Sequence, residues 1–183
     1  MIQNRPHGFT LIELMIGLAV LVFLILIAGP QYADFLGNSQ IRNGAENTLA
    51  GVRLAQTEAL RGNVRTQFVF DSTPCLGGWR INRFNDETAV YDQLQAYTFT
   101  DGACKATSTS NPGGATKVTF NGLGRVEPNA DTSDTLIWVE ITNPSVASPR
   151  NLRVVISPAT AGIKLCDPAV DVVAADPRFC PAT

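Results

Sequence analysis

From residue 14 to residue 29 the chain reads LMIGLAVLVFLILIAG, without one charged or strongly polar side chain. Extended from Phe9 to Pro30, this stretch makes a helix about 33 Å long, against a bilayer hydrocarbon core of about 30 Å. A helix that is apolar on every face has no polar side to show to water, and a small domain has no room to bury it all round. The segment is therefore expected to span a membrane. Much of the 45% hydrophobic content, set against only 16% charged residues, belongs to this one stretch.

No small-x-small cleavage pattern follows the run, which continues Ala28-Gly29-Pro30-Gln31-Tyr32, so an ordinary secretory signal does not fit. The polar punctuation lies ahead of it. A short leader, 1–8, carries Arg5 and His7 and ends in Gly8-Phe9-Thr10-Leu11-Ile12-Glu13-Leu14. A carboxylate such as Glu13 costs about 2.5–3.5 kcal/mol at the centre of a membrane helix, and it calls for a partner or a purpose.

The segment 8–14, behind a short basic leader and ahead of an unbroken apolar run, resembles the class III signal of type IV pilins and type II secretion pseudopilins. That resemblance implies cleavage between Gly8 and Phe9 by prepilin peptidase, and methylation of the new Phe9 amine. It also implies that Glu13 attracts the amino terminus of a neighbouring or the same subunit. Pairing of that kind removes much of the cost of a lone carboxylate in a low-dielectric medium. Arg5 fits the tendency of basic residues to stay on the cytoplasmic side.

Beyond Pro30 the pattern turns amphipathic. Ile41, Ala45, Leu49, Val52, Ala55 and Ala59 recur at three- and four-residue steps, with Arg42, Glu46, Asn47, Arg53 and Arg61 falling largely between them. The helix is expected to continue past Pro30, with a kink there, to a stop at Gly62-Asn63. Gly37, Gly44 and Gly51 read as points of added flexibility, each about 1 kcal/mol less favourable than alanine.

After Asn63 the period becomes two. Strands are expected at 64–70 (with Val64, Thr66, Phe68 and Phe70 on one face), 78–84, 91–100, 118–120, 136–142, 152–157 and 162–166, forming an antiparallel sheet or small sandwich. Residues 101–116 and 130–134 are rich in Gly, Ser, Thr, Asn and Pro and read as exposed loops. The fold class is α+β, and the chain divides into a leader at 1–8, a membrane and fibre-core helix at 9–30, its amphipathic continuation at 31–62 and a β-rich head at 63–183.

In the head, the stretch 53–61 (RLAQTEALR), Gly78-Trp79, Phe120-Asn121-Gly122-Leu123-Gly124-Arg125 and 152–157 (LRVVIS) followed by Gly162 are similar to the GspH/FimT family of minor pilins and pseudopilins. Gly122 and Gly124 read as positions of positive φ or close backbone approach, and Arg125 as a turn or sheet-edge contact. The likeness implies a pilin-like fold. It also implies assembly with other minor pilins and a major pilin or pseudopilin, in a type IV pilus or in the pseudopilus of a type II secretion system.

Cys75, Cys104, Cys166 and Cys180 all follow the membrane segment, with no C-x-x-C and no nearby histidine, so zinc and redox-motif readings fit poorly. Four cysteines allow three pairings and the sequence does not choose among them. Loop-closure entropy favours nearest neighbours, Cys75 with Cys104 and Cys166 with Cys180. Oxidised cysteines imply the periplasm or the outside, with the helix held in the inner membrane. Disulfide-closed carboxyl-terminal loops are familiar in type IV pilins and uncommon in their type II secretion counterparts, which favours the pilus.

The charges and the single histidine exclude other classes. A formal net charge of −2 supplies no polycationic face of the kind that neutralises many phosphates. Some FimT-like members bind DNA through a basic Gly-Arg-x-Arg motif, where this chain has Gly162-Ile163-Lys164-Leu165, one cation in place of two. Lys164, Arg150, Arg153 and Arg178 remain a candidate weak DNA-contact patch, with scattered solubilising charge the favoured reading. His7 is the one histidine, so Ser and Thr nucleophiles lack a base. Asp131, Asp134, Asp167, Asp171 and Asp176 read as turn formers rather than as calcium ligands or acid–base groups. No enzyme activity, metal or cofactor is expected.

Overall fold

The computed structural model describes residues 8–100, 102–169 and 173–181, without the side chains of 28–30; Arg5, His7, Asp101 and Asp171 lie outside the described residues. One helix, α1 (Leu11–Gly62), takes 52 residues and is about 78 Å long. It passes through position 30 without interruption. It ends where Asn63 turns left-handed (φ 46°, ψ 42°) and its N–H donates to the carbonyls of Ala59 and Leu60. Asparagine adopts that conformation more readily than most residues.

The second half of α1 buries a stripe made of Ile41, Ala45, Thr48, Val52, Ala55 and Ala59. Thr48 takes the place expected of Leu49, which is half-buried. Its hydroxyl is satisfied on the helix itself, donating to the Gly44 carbonyl at 2.8 Å, so a polar side chain can occupy the seam without an unpaired group. Gly37, Gly44 and Gly51, read from the sequence as flexible points, are packing positions seven residues apart. A Cβ on Gly51 would sit 2.6 Å from the Trp79 ring, and one on Gly37 2.1 Å from Val146 Cγ2. The head approaches the helix where side chains are missing.

The head consists of two antiparallel sheets. The first contains β1 (Thr66–Asp71), β2 (Gly78–Asn85), β3 (Val90–Thr98), β5 (Lys117–Phe120) and β6 (Val126–Glu127), in the order β3-β2-β1-β5-β6. The second contains β4 (Thr107–Asn111), β7 (Trp138–Thr142), β8 (Leu152–Ile156) and β9 (Ile163–Cys166), in that order. Phe68, Trp79, Ile81 and Phe120 of the first sheet and Val139, Ile141 and Ile156 of the second close over α1 in one core.

Two strands depart from expectation. β4 lies inside 101–116, expected to be loop: TSTSN has no apolar alternation, yet its β-branched threonines pair in register with β7 as an edge strand, Thr107 opposite Thr142 and Asn111 opposite Trp138. β6 is a two-residue strand formed when the chain returns from the 121–125 turn. β1 is buried on both faces rather than one. On its outer face buried Gln67 donates to Thr119 Oγ1 at 3.4 Å, and that hydroxyl donates to buried Asn129 at 2.8 Å, which pins the 128–135 loop by donating to the carbonyls of Ser133 and Asp134.

One helical side chain fastens both sheets. Gln56 Nε2 donates to the Gly124 carbonyl at 2.9 Å and to the Ala161 carbonyl at 3.0 Å, beside β6 and before β9 respectively. Gln56→Ala would strand two partly buried carbonyls. It is expected to lower the unfolding free energy of the full chain in detergent by about 1–3 kcal/mol, read as a lower urea midpoint with an unchanged slope.

Candidate functional site

The membrane end of the molecule is built from the first turn of α1. Thr10 is its N-cap in extended conformation, and its Oγ1 accepts from the Glu13 N–H at 3.4 Å. The helix therefore begins immediately after Gly8-Phe9, both exposed. Glu13 stands in that first turn, where a carboxylate complements the positive end of the helix dipole. From Leu11 to Ile27 the large apolar side chains lie open, from 77% exposed at Leu11 to 53% at Leu21, and none meets the head. Exposure on that scale is unstable in water, so this half of α1 needs lipid or other helices around it. It is long and apolar enough to cross a membrane.

The cysteines stand in two pairs, Cys75 with Cys104 and Cys166 with Cys180. The first ties the β1–β2 loop to the approach to β4. The second folds the tail against β9, where Asp167 N–H donates to the Arg178 carbonyl at 2.8 Å and Lys164 Nζ donates to the Phe179 carbonyl at 2.9 Å.

Arg150, Arg153 and Arg178 share an open cleft of about 520 Å³ with Glu140 and Asp167, while Lys164 is not among its lining residues. Arg153 pairs with Glu140 at 2.6 Å and lies over the Trp138 ring, 4.1 Å from its centre. Arg178 pairs with Asp176 at 2.7 Å and faces Asp167 at 3.9 Å, and its guanidinium holds the Asp176 carboxyl below the usual carboxylate range. Two of the four cations in the candidate DNA patch are thus neutralised by carboxylates, and Lys164 is engaged by a main-chain oxygen. Arg150 has no side-chain partner among the described residues.

Among the described residues no group of three or more His, Cys, Asp or Glu is placed to hold a metal ion. Asp131 accepts from Lys117 Nζ and from the Ser133 N–H and hydroxyl, which together hold its carboxyl well below the usual range. A carboxylate with a lowered folded-state pKa stabilises the fold above its ordinary value, about 3.9, and that contribution fades as pH falls toward the lowered value. The melting temperature of the full chain in detergent is therefore expected to fall below about pH 4. Asp131→Asn should flatten the decline.

Two residues that organise the head escaped sequence reasoning. Gln56 joins carbonyls 68 and 105 residues away, and Asn129 sits in a polar stretch like any turn asparagine. The one hint for Gln56 was its place beside Ala55 of the buried stripe.

With this geometry in view, the sequence matches the family model "Type II transport protein GspH" over residues 44–160, and a prokaryotic N-terminal methylation motif over residues 3–29. The chain belongs to the GspH family. Members of this family are minor pilins and pseudopilins, structural subunits that assemble with other pilins in a pilus or pseudopilus. The GspH-family fold seen here is similar to the minor pseudopilin EpsH from the Type 2 Secretion System of Vibrio cholerae. That similarity has a TM-score of 0.53 at 12% identity, over 70% of this chain and 98% of that one. The type IV minor pilin FimU of Pseudomonas aeruginosa aligns at TM-score 0.49 and 16% identity, over 72% of this chain and 91% of that one. A fimbrial protein of Pseudomonas aeruginosa is 37% identical over 72 residues, which is 39% of this chain and 45% of that protein's length. The apolar helix and the methylation motif of this GspH-family chain are consistent with membrane anchoring and a place in a fibre.

Proposed function

We propose that the chain is a minor pilin of a type IV pilus, incorporated in the tip or assembly-priming complex, and so supports twitching, adhesion or DNA uptake. The observation that carries this reading is the open apolar half of α1, which has no surface of its own head to cover it. Prepilin peptidase removes 1–8 between Gly8 and Phe9, the Phe9 amine is methylated, and 9–30 anchors the subunit in the inner membrane before entering the fibre core. Residues 31–62 carry the head, 63–183, in the periplasm. Glu13 pairs with an amino terminus, its own or a neighbour's. Cys166–Cys180 closes the tail into a loop, which favours the pilus over the pseudopilus.

The second reading is an H-type minor pseudopilin of a type II secretion system, favoured by the family description itself. Deleting the gene and scoring twitching and exoprotein secretion separates the two: lost twitching with normal secretion supports the pilus, and the reverse overturns it. DNA contact through Lys164, Arg150, Arg153 and Arg178 is weakened by the carboxylates paired with Arg153 and Arg178 and by the carbonyl that engages Lys164. A head without its membrane helix is expected to give no gel shift at moderate salt. The role is that of a structural subunit, in keeping with the family.

A further inference from the structure

The 143–150 loop is tied to the part of α1 that lies just past the apolar run. Asp34 Oδ1 accepts from the Ala147 N–H at 3.4 Å, Asn38 Oδ1 from the Arg150 N–H at 2.9 Å, and Gln40 Oε1 from Asn143 Nδ2 at 3.1 Å. Val146 fills the space that Gly37 leaves. At about 1.5 Å per residue, positions 34 and 38 stand about 6 and 12 Å beyond position 30. The polar layer of a bilayer extends about 5–8 Å beyond the hydrocarbon on each side. Ala147, tied to position 34, is thus held at headgroup height, and the Arg150 backbone, tied to position 38, stands about 4 Å above that layer, within the reach of an arginine side chain, with 144, 145 and 147–150 all exposed. At the same level Tyr32 and Phe35 are 64% and 68% exposed, as aromatic side chains at a membrane boundary are.

Charge points the same way. Arg150 has no carboxylate partner among the described residues, because the acids of its cleft, Glu140 and Asp167, face Arg153 and Arg178. Asp34, the other charge at this height, is occupied by the loop's own N–H. A guanidinium with open donors beside a bilayer meets phosphodiester oxygens in the geometry it binds best.

Resting on the reading of α1 as membrane-spanning, we propose that the 143–150 loop and Arg150 form a collar seated on the phospholipid headgroups, which fixes the head's orientation before the subunit leaves the membrane. The test uses the full chain in phosphatidylcholine–phosphatidylglycerol vesicles doped with a lipid carrying a nitroxide on its headgroup. A fluorescent amino acid is placed by codon suppression at Ser148 or, as the distant reference, at Leu123, which is exposed and lies in the turn against Leu60 near the far end of α1. Quenching is expected to be severalfold stronger at 148 than at 123. It should fall toward the reference in Arg150→Glu and persist in Arg150→Lys. Equal quenching at both positions, in a chain that resists extraction by alkaline carbonate, overturns the collar and leaves the anchor standing. Release of the chain by carbonate overturns the anchor, and the collar with it. Strong quenching at 148 that is indifferent to Arg150→Glu removes Arg150 from the contact.

Discussion

Gly78→Ala is expected to destabilise the head by about 3 kcal/mol or more, since backbone strain and overpacking, each about 1–3 kcal/mol, act together there. Gly78 opens β2 between its two neighbours, opposite Asp71 of β1 and Thr98 of β3. Its φ is +155°, and a Cβ would stand 2.0 Å from the Tyr97 carbonyl oxygen and 3.0 Å from Thr98 Cα. These atoms are backbone of the neighbouring strand, so no rotamer change relieves the contact. Trp79, the next residue, packs into the hollow at Gly51 and stacks on Tyr97 with ring centres 5.8 Å apart. A shift of β2 would therefore also unseat the ring that joins sheet to helix. Urea unfolding of the full chain in detergent measures the effect. Gly114→Ala is the control: its φ is also positive, at +84°, but nothing lies within 4 Å of its added methyl, and the expected cost is about 1 kcal/mol. Equal midpoints for the two variants would mean that the strands do not approach as described.

Glu13→Gln is expected to leave membrane insertion and leader cleavage intact while lowering the amount of subunit in sheared fibres at least tenfold, or about 1.4 kcal/mol of assembly free energy. The side chain lies in the first turn of a segment surrounded by exposed apolar residues, so in lipid or in a fibre core its charge has few ways to be satisfied. In the proposed pairing an incoming amino terminus supplies the missing charge. Breaking such a pair from one side leaves the other charge unpaired at a cost of about 3–5 kcal/mol. The amide is neutral and gives the amino terminus no opposite charge to meet. Immunoblots of sheared fibre and membrane fractions read the split. Undiminished fibre incorporation would rule out the pairing.

The helix was legible because its two halves carry different and strong patterns: uninterrupted apolar residues to Gly29, then a stripe at helical spacing from Ile41 to Ala59. Strands with apolar alternation, such as β1 and β8, were equally plain. β4 was not, because Thr107, Thr109 and Asn111 earn their place by pairing at an edge rather than by burial. The glycines at 37, 44 and 51 were visible, but not their purpose, which depends on Ile141 and Trp79 arriving from distant strands and Val146 from a distant loop. Gly122 and Gly124 were read as positions of positive φ or close backbone approach, and each meets one of the two. Gly124 indeed has φ +71°, while Gly122 is required by its approach to the Asn63 backbone. For the candidate sites, the amino-terminal motif is a local string and can be read directly. The cations were nameable one by one, but that Arg153 and Arg178 are matched by Glu140 and Asp176 follows from the sheet register and the folded tail.

In the proposed reading this chain is made as a precursor, trimmed at its amino terminus and stapled outside the cytoplasm before it joins a fibre. Intact mass of the protein recovered from membranes tests all of this at once. The expected mass is that of a chain that begins at Phe9, carries one added methyl group and has lost the four hydrogens that two disulfides remove, Cys75–Cys104 and Cys166–Cys180. A mass that retains residues 1–8 would contradict it.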